Sequence, residues 1–306
     1  MTTRNARSVR FRFTEAAGVR IFFREAGDPT HPTLVLTHGL PSSSHEFAEL
    51  IPLLADRFHV LAPDYPGMGY SDVPDTTAIQ PTFEAVAKVL ETFILAHTSG
   101  PLILYLYDIG GPIGMRFATA HANRIAGLIL QNLTLSLDGW NPAILKAYDQ
   151  ISGPETPAKL AAAETRFTIE RSRFLHETGA SRPDELNPDN WAIDAYAFSD
   201  PARREFMARL LIDLPTNIDH YPAWMKFLKD QQFKTLILWG RNDPLFTPAA
   251  PEAFREVLPR AELLTFDGGH FVLDEYPDEF AESIIRSFAE TIDVPARDLS
   301  TQAAVS

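Results

Sequence analysis

Short apolar runs recur along the chain and predict strands that flanking helices bury on both faces. Ahead of these runs, apolar and polar positions alternate over residues 8–14 and 19–24, on either side of a short turn, as in a β-hairpin. Helical patterns, such as those over residues 82–97 and 114–122, separate several of the runs, and this alternation predicts a mostly parallel sheet. The apolar runs cover residues 33–37, 59–62, 102–106, 128–130, 235–239 and 262–266.

Residues 133–228 interrupt the alternation, because they contain many aromatic residues and helix formers but no convincing strand pattern. We interpret this segment as a helical cap inserted after the sixth strand, since the strand pattern resumes directly after it. The core would then consist of residues 1–132 and 229–306. A second independent domain is the alternative interpretation. Residues 295–306 are expected to form a loose tail.

The composition argues against several classes of protein and of active site. The chain of 306 residues is 45% hydrophobic and 22% charged, as in ordinary soluble globular proteins. A net charge of −13 argues against nucleic-acid binding, and the absence of cysteine excludes disulfides, thiolate metal ligands and a cysteine nucleophile. Because there is neither a secretory signal nor an apolar run of about 18 residues, we expect no membrane span. A cytoplasmic monomer or homodimer is the simplest expectation.

Polar and small residues follow several of the predicted strands, at the edge where open α/β sheets bind ligands. Asp108 comes directly after a buried strand and before a glycine-rich helix start, which is the pattern of a nucleophile elbow. The backbone N–H groups of Leu40, in the turn after another strand, and of Ile109 could face an anion there. Asp243 and His270 follow two later strands, and they could supply an acid and a base.

Each of these side chains also has a common structural role. Asp108 could cap the following helix, Asp243 could stabilise a turn before proline, and His270 could be a solvated loop histidine. These separate roles do not explain why Asp, Asp and His occur in this chain order, each just past a buried strand. The order is that of the nucleophile, acid and histidine in α/β hydrolases. No Gly-x-Ser-x-Gly motif occurs, so no serine competes for the elbow.

The motifs resemble those of the α/β-hydrolase superfamily, specifically its branch of epoxide hydrolases and haloalkane dehalogenases. The resemblance implies an α/β-hydrolase fold, with Asp108 as nucleophile, Asp243 and His270 as its partners, and Leu40 and Ile109 as oxyanion-hole donors. Leu106 departs from the pattern, because the elbow usually has a small residue at this position. The resembling segments are HGLPSSSHEF (38–47), DYPGMGYSD (64–72), YDIGGPIGMRFA (107–118), LILWGRNDP (236–244) and GGHFVLDEYPDEF (268–280).

An aspartate nucleophile suits attack on an sp³ carbon that carries a leaving group, because attack on an ester or amide would give an anhydride. The resemblance implies that Asp108 forms an alkyl-enzyme ester and that His270, held by Asp243, activates water to hydrolyse it. No metal or organic cofactor is required for these steps. The aromatic and apolar cap predicts a small to medium hydrophobic substrate.

The leaving group is less well defined, since the sequence departs from both patterns of the branch. Many dehalogenases have a tryptophan directly after the nucleophile, where this chain has Ile109. Epoxide hydrolases often have a Tyr-Arg pair late in the cap, where this chain has Leu214 and Pro215. We favour an epoxide hydrolase, with a haloalkane dehalogenase as the alternative and a non-catalytic binder of hydrophobic ligands as a further one. The cap candidates for donating a proton or hydrogen bond to the leaving group are Tyr148, Tyr221 and Trp140.

Overall fold

The computed structural model describes residues 8–290, which build their core around one eight-stranded sheet. The predicted hairpin forms its first edge, and β8 forms the other. The strands are β1 (Arg10–Ala16), β2 (Val19–Ala26), β3 (Thr33–Thr37), β4 (His59–Pro63), β5 (Leu102–Tyr107), β6 (Ile125–Gln131), β7 (Thr235–Gly240) and β8 (Glu262–Phe266).

The strand order is β1-β2-β4-β3-β5-β6-β7-β8. β2 pairs antiparallel with β1 and β4, whereas the remaining neighbours pair in parallel. Every residue of β4, β5 and β7 is buried, as expected for strands covered on both faces, whereas the edge strand β8 is partly exposed. The fold class predicted from the sequence, an α/β-hydrolase fold with a mostly parallel sheet, is therefore confirmed.

Helices flank the sheet, and several of them begin at side-chain caps. Thr82 caps α2, for example, by accepting a hydrogen bond from the backbone N–H of Ala85 at 3.2 Å. The helices are α1 (Leu50–Leu54), α2 (Phe83–His97), α3 (Gly110–Ala120), α4 (Pro142–Asp149), α5 (Pro157–Glu164), α6 (Ile169–Glu177), α7 (Asp189–Ser199), α8 (Pro201–Asp213), α9 (Tyr221–Gln231), α10 (Ala249–Val257) and α11 (Pro277–Ser287).

Helix α3 differs from the sequence prediction, which placed a helix over residues 114–122. The helix begins earlier, at Gly110, and ends at Ala120. Gly110 and Gly111, which precede the predicted bounds, are therefore the first residues of the helix. Gly110 is needed there for close packing, because a Cβ atom at this position would lie 2.6 Å from the carbonyl oxygen of Thr37.

Helices α4 to α9 lie between β6 and β7 in the chain, and no strand occurs among them. Polar contacts connect this helical segment to the core: Asp213 accepts a hydrogen bond from the backbone N–H of Phe83 at 2.8 Å, and Arg203 donates one to the carbonyl oxygen of Gly69 at 3.0 Å. The division into a core and a cap at residues 133–228 stays a prediction. The expected tail, residues 295–306, lies outside the described residues. Among residues 8–290, none of the helices combines the length and the apolar character that spanning a bilayer requires.

Candidate active site

Asp108 lies at a sharp turn between β5 and α3. Its backbone φ is 47°, in the left-handed region that residues other than glycine rarely adopt. Ile109, not Asp108, occupies the N-cap position of α3, so capping the helix does not explain the aspartate. A non-glycine residue held in this conformation is typical of functional sites, where the surrounding fold compensates for the local strain.

Leu106, the departure from the usual elbow pattern, is accommodated by a glycine on the facing helix. A Cβ atom at Gly114 would lie 2.2 Å from Cδ2 of Leu106. The leucine therefore occupies space that a larger residue on α3 would need. The sequence carries both residues of this complementary pair, but only the packing of α3 on β5 shows that they belong together.

The two predicted oxyanion donors both contact the carboxylate of Asp108. The backbone N–H of Leu40 donates a hydrogen bond to Oδ1 at 2.9 Å, and the backbone N–H of Ile109 also donates to this carboxylate. Burial raises the pKa of Asp108 above its usual value, whereas the charge of His270 and the two backbone donors act in the opposite direction. The histidine and the two backbone donors therefore offset part of the cost of burying a negative charge at Asp108.

His270 bridges the two aspartates. Its Nδ1 lies 2.8 Å from Oδ2 of Asp243, and its Nε2 lies 3.7 Å from Oδ2 of Asp108. The histidine is fully buried, and Nε2 has no hydrogen-bond partner among the described residues. Burial alone would lower the pKa of His270, but Asp243 and Asp108 outweigh this effect and raise it. The structure thus brings together Asp108, Asp243 and His270, as the chain order predicted.

Asn132 is a part of the site that the sequence analysis missed. It directly follows β6, and its Nδ2 donates a hydrogen bond to Oδ2 of Asp243 at 2.7 Å. The other carboxylate oxygen of Asp243, Oδ1, accepts hydrogen bonds from the backbone N–H groups of Leu245 at 2.7 Å and Phe246 at 3.2 Å. The signal in the sequence was a polar residue just past a buried strand, the same signal that identified Asp108 and Asp243.

Asp108 and Tyr148 line one narrow cavity of about 50 Å³. Burial, followed by the charge of Asp108, raises the pKa of Tyr148 to about 12, so its phenol stays protonated at neutral pH. Leu40 and Ile109 also line this cavity, whereas a larger groove near Thr82 contains none of the predicted site residues. The apolar part of the wall includes Pro41, Phe167, Leu175, Leu211, Leu214 and Leu245.

The other two cap candidates, Trp140 and Tyr221, are not among the residues that line the cavity. They bond to each other instead, because the indole N–H of Trp140 donates to the hydroxyl of Tyr221 at 3.3 Å. Trp140 also packs edge-on against Tyr148, with ring centroids 5.6 Å apart. Of the three predicted donors, only Tyr148 therefore shares the cavity with Asp108.

Two arginines, Arg166 and Arg171, also line the cavity, and the sequence analysis did not identify either of them. Arg166 stacks over the ring of Tyr148, with its Cζ 5.3 Å from the ring centroid. Helix α6 carries Arg171, whose backbone N–H bonds to the capping hydroxyl of Thr168 at 3.2 Å. Nothing in the sequence distinguishes these arginines from the exposed arginines of the same segment.

A buried histidine of α6, His176, lies next to the site. Its Nδ1 is 2.7 Å from Asp274 of the core, and its Nε2 is 3.2 Å from Asp194 of α7. Its ring stacks on Phe271, the neighbour of His270, at a centroid distance of 3.7 Å. Burial alone would lower the pKa of His176, but the two carboxylates raise it to about 9. The protonated ring therefore links the helical segment to the loop that carries His270.

Comparison with known proteins identifies the family. A model of the family described as alpha/beta hydrolase fold matches residues 32–277. The chain therefore belongs to the α/β-hydrolase family and is an enzyme of that family, as its motifs predicted.

Two curated relatives and two solved structures resemble most of the chain. It is 32% identical to the uncharacterized hydrolase YNR064C of Saccharomyces cerevisiae, over 89% of this chain and 94% of that protein. It is 25% identical to haloalkane dehalogenase 2 of Mycobacterium tuberculosis, over 90% of this chain and 94% of that protein.

Among solved structures, haloalkane dehalogenase DbeA from Bradyrhizobium elkani superposes with a TM-score of 0.79 at 20% identity, covering 93% of this chain and 99% of that one. The epoxide hydrolase CorEH superposes with a TM-score of 0.76 at 20% identity, covering 92% of this chain and 99% of that one. At these identities the two structures establish the shared fold.

Proposed function

We propose that this enzyme hydrolyses epoxides through an alkyl-enzyme ester on Asp108. The observation that carries the proposal is that the Asp108 carboxylate and the protonated Tyr148 phenol line the same narrow cavity. Opening an epoxide needs both a nucleophile at carbon and a proton donor at oxygen, and these two side chains supply them. The cavity walls suit a small hydrophobic substrate.

In the first step, Asp108 attacks a ring carbon through the oxygen that Leu40 does not hold. The carbon–oxygen bond of the ring breaks as the new ester bond forms, and the ring oxygen takes the proton of the Tyr148 hydroxyl. No group leaves the substrate, so the product is a hydroxyalkyl ester of Asp108 beside a tyrosinate. Burial and the nearby negative charge disfavour that tyrosinate, which therefore readily takes a proton back.

In the second step, His270 removes a proton from a water molecule, which attacks the carbonyl carbon of the ester. The N–H groups of Leu40 and Ile109 stabilise the resulting oxyanion, since they already contact the Asp108 carboxylate. Collapse of this intermediate breaks the bond to the diol oxygen, which takes the proton held by His270. The diol is released, and the Asp108 carboxyl then loses its own proton to solvent. Asp243 keeps His270 oriented through the 2.8 Å contact to Nδ1 and stabilises its protonated form.

A haloalkane dehalogenase is the second candidate, and the relationship to the mycobacterial dehalogenase supports it. A departing halide needs N–H donors, and indole N–H groups commonly supply them. No tryptophan lines the cavity, and the indole of Trp140 is bonded to Tyr221, so the described residues offer less to a halide than to an epoxide. A non-catalytic binder is the third candidate, but ligand binding alone does not explain why His270 contacts both Asp108 and Asp243.

The decisive experiment traps the intermediate. A His270→Gln variant, incubated with terminal epoxides or with alkyl bromides of matched length, should accumulate a covalent adduct that intact-mass spectrometry and peptide mapping locate on Asp108. An Asp108→Asn/His270→Gln double variant is the matched control and should gain no mass. Wild-type enzyme should turn the epoxides into diols faster than it releases bromide. If none of the compounds forms an adduct, Asp108 is not the nucleophile. An adduct with the bromides alone would favour the dehalogenase.

A further inference from the structure

Arg166 and Arg171 place two positive charges in the cavity that they share with Asp108. Within residues 8–290, neither guanidinium forms an ion pair, and Nε of Arg166 is buried without a hydrogen-bond partner. Among the described residues, the Arg166 guanidinium donates one hydrogen bond, to the carbonyl oxygen of Ala147 at 2.9 Å. Arg173, on the solvent side of helix α6, which also carries Arg171, instead pairs with Glu177 at 2.8 Å.

This arrangement of two like charges is electrostatically unfavourable by itself. Burial, helped by the charge of Arg166, lowers the pKa of Arg171, which means that its protonated form is destabilised there. Such a pair of like charges is also unexpected in a chain with a net charge of −13, where carboxylates are plentiful. A bound anion would supply the missing hydrogen-bond acceptors and reduce the repulsion between the two arginines.

We propose that Arg166 and Arg171 bind a carboxylate group of the substrate, at the end remote from the carbon that Asp108 attacks. A carboxylate matches the planar fork of a guanidinium, and the narrow cavity favours this small anion over a phosphate. The inference rests on the proposed function and specifies its substrate class: short hydrophobic acids that carry an epoxide or another leaving group.

Tyr148 connects the anion site to the chemistry. Its ring is stacked under Arg166, and both arginines lower the pKa of its phenol, against the larger raising effects of burial and Asp108. A carboxylate at the arginines would hold the substrate with its apolar chain along the leucine-rich wall. The leaving-group oxygen would then meet the phenol, and the reacting carbon would meet Asp108. Binding energy from the remote carboxylate would thus be used for positioning.

Equilibrium binding tests the anion site without relying on turnover. The probes are hexanoate and hexanamide, which differ in charge but hardly in shape, titrated calorimetrically into an Asp108→Asn variant. We expect hexanoate to bind about 10- to 100-fold more tightly, as charge-assisted hydrogen bonds predict. Adding Arg171→Met should abolish the preference, and adding Arg173→Met, the matched control on the same helix, should preserve it. Equal binding of acid and amide would overturn the proposal.

Turnover separates this proposal from the proposed function. Terminal epoxides with and without a carboxylate at the opposite end are compared by kcat/KM, and the wild-type ratio should favour the acids by about tenfold or more. Arg166→Met and Arg171→Gln should each reduce that ratio, and thermal unfolding checks that both variants fold. If neutral epoxides are hydrolysed with no preference for acids, the anion site is wrong and the mechanism stands. If hexanoate binds but no ester forms, the mechanism is wrong and the anion site stands.

Discussion

Asn132 donates a hydrogen bond to Oδ2 of Asp243 at 2.7 Å, and the same oxygen lies 2.8 Å from Nδ1 of His270. Asn132 is itself fixed by β7, since its side chain accepts from the backbone N–H of Gly240 at 2.9 Å and donates to the Gly240 carbonyl oxygen at 3.2 Å. The amide therefore holds the Asp243 carboxylate at one angle to the histidine. It is a positioning residue, because it acts on the reaction through Asp243.

Asn132→Ala should slow ester hydrolysis more than ester formation. Loss of a hydrogen bond to a charged group should reduce the hydrolysis rate by about 10- to 100-fold. Single-turnover kinetics followed by intact mass would show the ester accumulating. The variant should also lose about 1–3 kcal/mol of unfolding free energy. The backbone N–H and carbonyl of Gly240 lose their partner, and alanine is strained at the φ of 34° that Asn132 adopts. Equal slowing of both steps would contradict a role through Asp243.

Tyr148→Phe should slow epoxide opening, because the ring oxygen loses its proton donor. General-acid help is worth about 10²–10⁴-fold, so the rate of ester formation should fall within that range. Tyr221→Phe is the matched control, because that hydroxyl bonds to Trp140 and does not line the cavity. Rapid-quench measurement of the adduct would compare the two variants. A larger effect of Tyr221→Phe would assign the donor to Tyr221 instead.

His176 should make stability depend on pH. Its pKa is raised from the ordinary histidine value of 6.5 to about 9, so the folded state binds this proton more tightly than the unfolded state does. Protonated His176 should contribute at most about 3 kcal/mol to the free energy of unfolding. This contribution should be complete below about pH 6.5 and should be lost as the pH rises through about 9. Asp194 and Asp274, which face the ring, would then remain as unneutralised buried charges.

Chemical denaturation at a series of pH values from about 6 to 10 would measure how the free energy of unfolding changes as His176 titrates. His176→Gln should flatten the alkaline part of the stability profile, whereas His220→Gln, at an exposed histidine of the same helical segment, should not. Parallel profiles for the wild type and His176→Gln would show that the linked histidine contributes nothing to the pH dependence.

Gly114→Ala should destabilise the elbow, although alanine is the better helix former. A Cβ atom there would meet Cδ2 of Leu106 at 2.2 Å, and overpacking of this kind costs about 1–3 kcal/mol. Leu106→Ala should relieve the clash, so the double variant should be more stable than the sum of the single changes predicts. Gly100→Ala is the control, because its Cβ would contact nothing within 4 Å. Denaturant unfolding measures all four variants.

The sequence by itself determined the architecture and identified three candidate catalytic side chains. Apolar runs marked the strands, because a strand buried on both faces admits few polar residues. Asp108, Asp243 and His270 were recognisable because each lies in the loop that follows such a run, and the carboxyl ends of parallel strands meet at one edge. Local pattern and chain order were sufficient for these conclusions.

Only the tertiary structure decided which side chains face Asp108 from the helical segment. Tyr148, Arg166 and Arg171 line its cavity, whereas Trp140 and Tyr221 bond to each other outside it. In the sequence all five are ordinary helical-segment residues, because the direction of a side chain depends on how α4 to α9 pack on the core. The same holds for Asn132, whose partner Asp243 lies 111 positions away in the chain. Long-range packing is not encoded in local pattern, and here it determines which side chains line the cavity around Asp108.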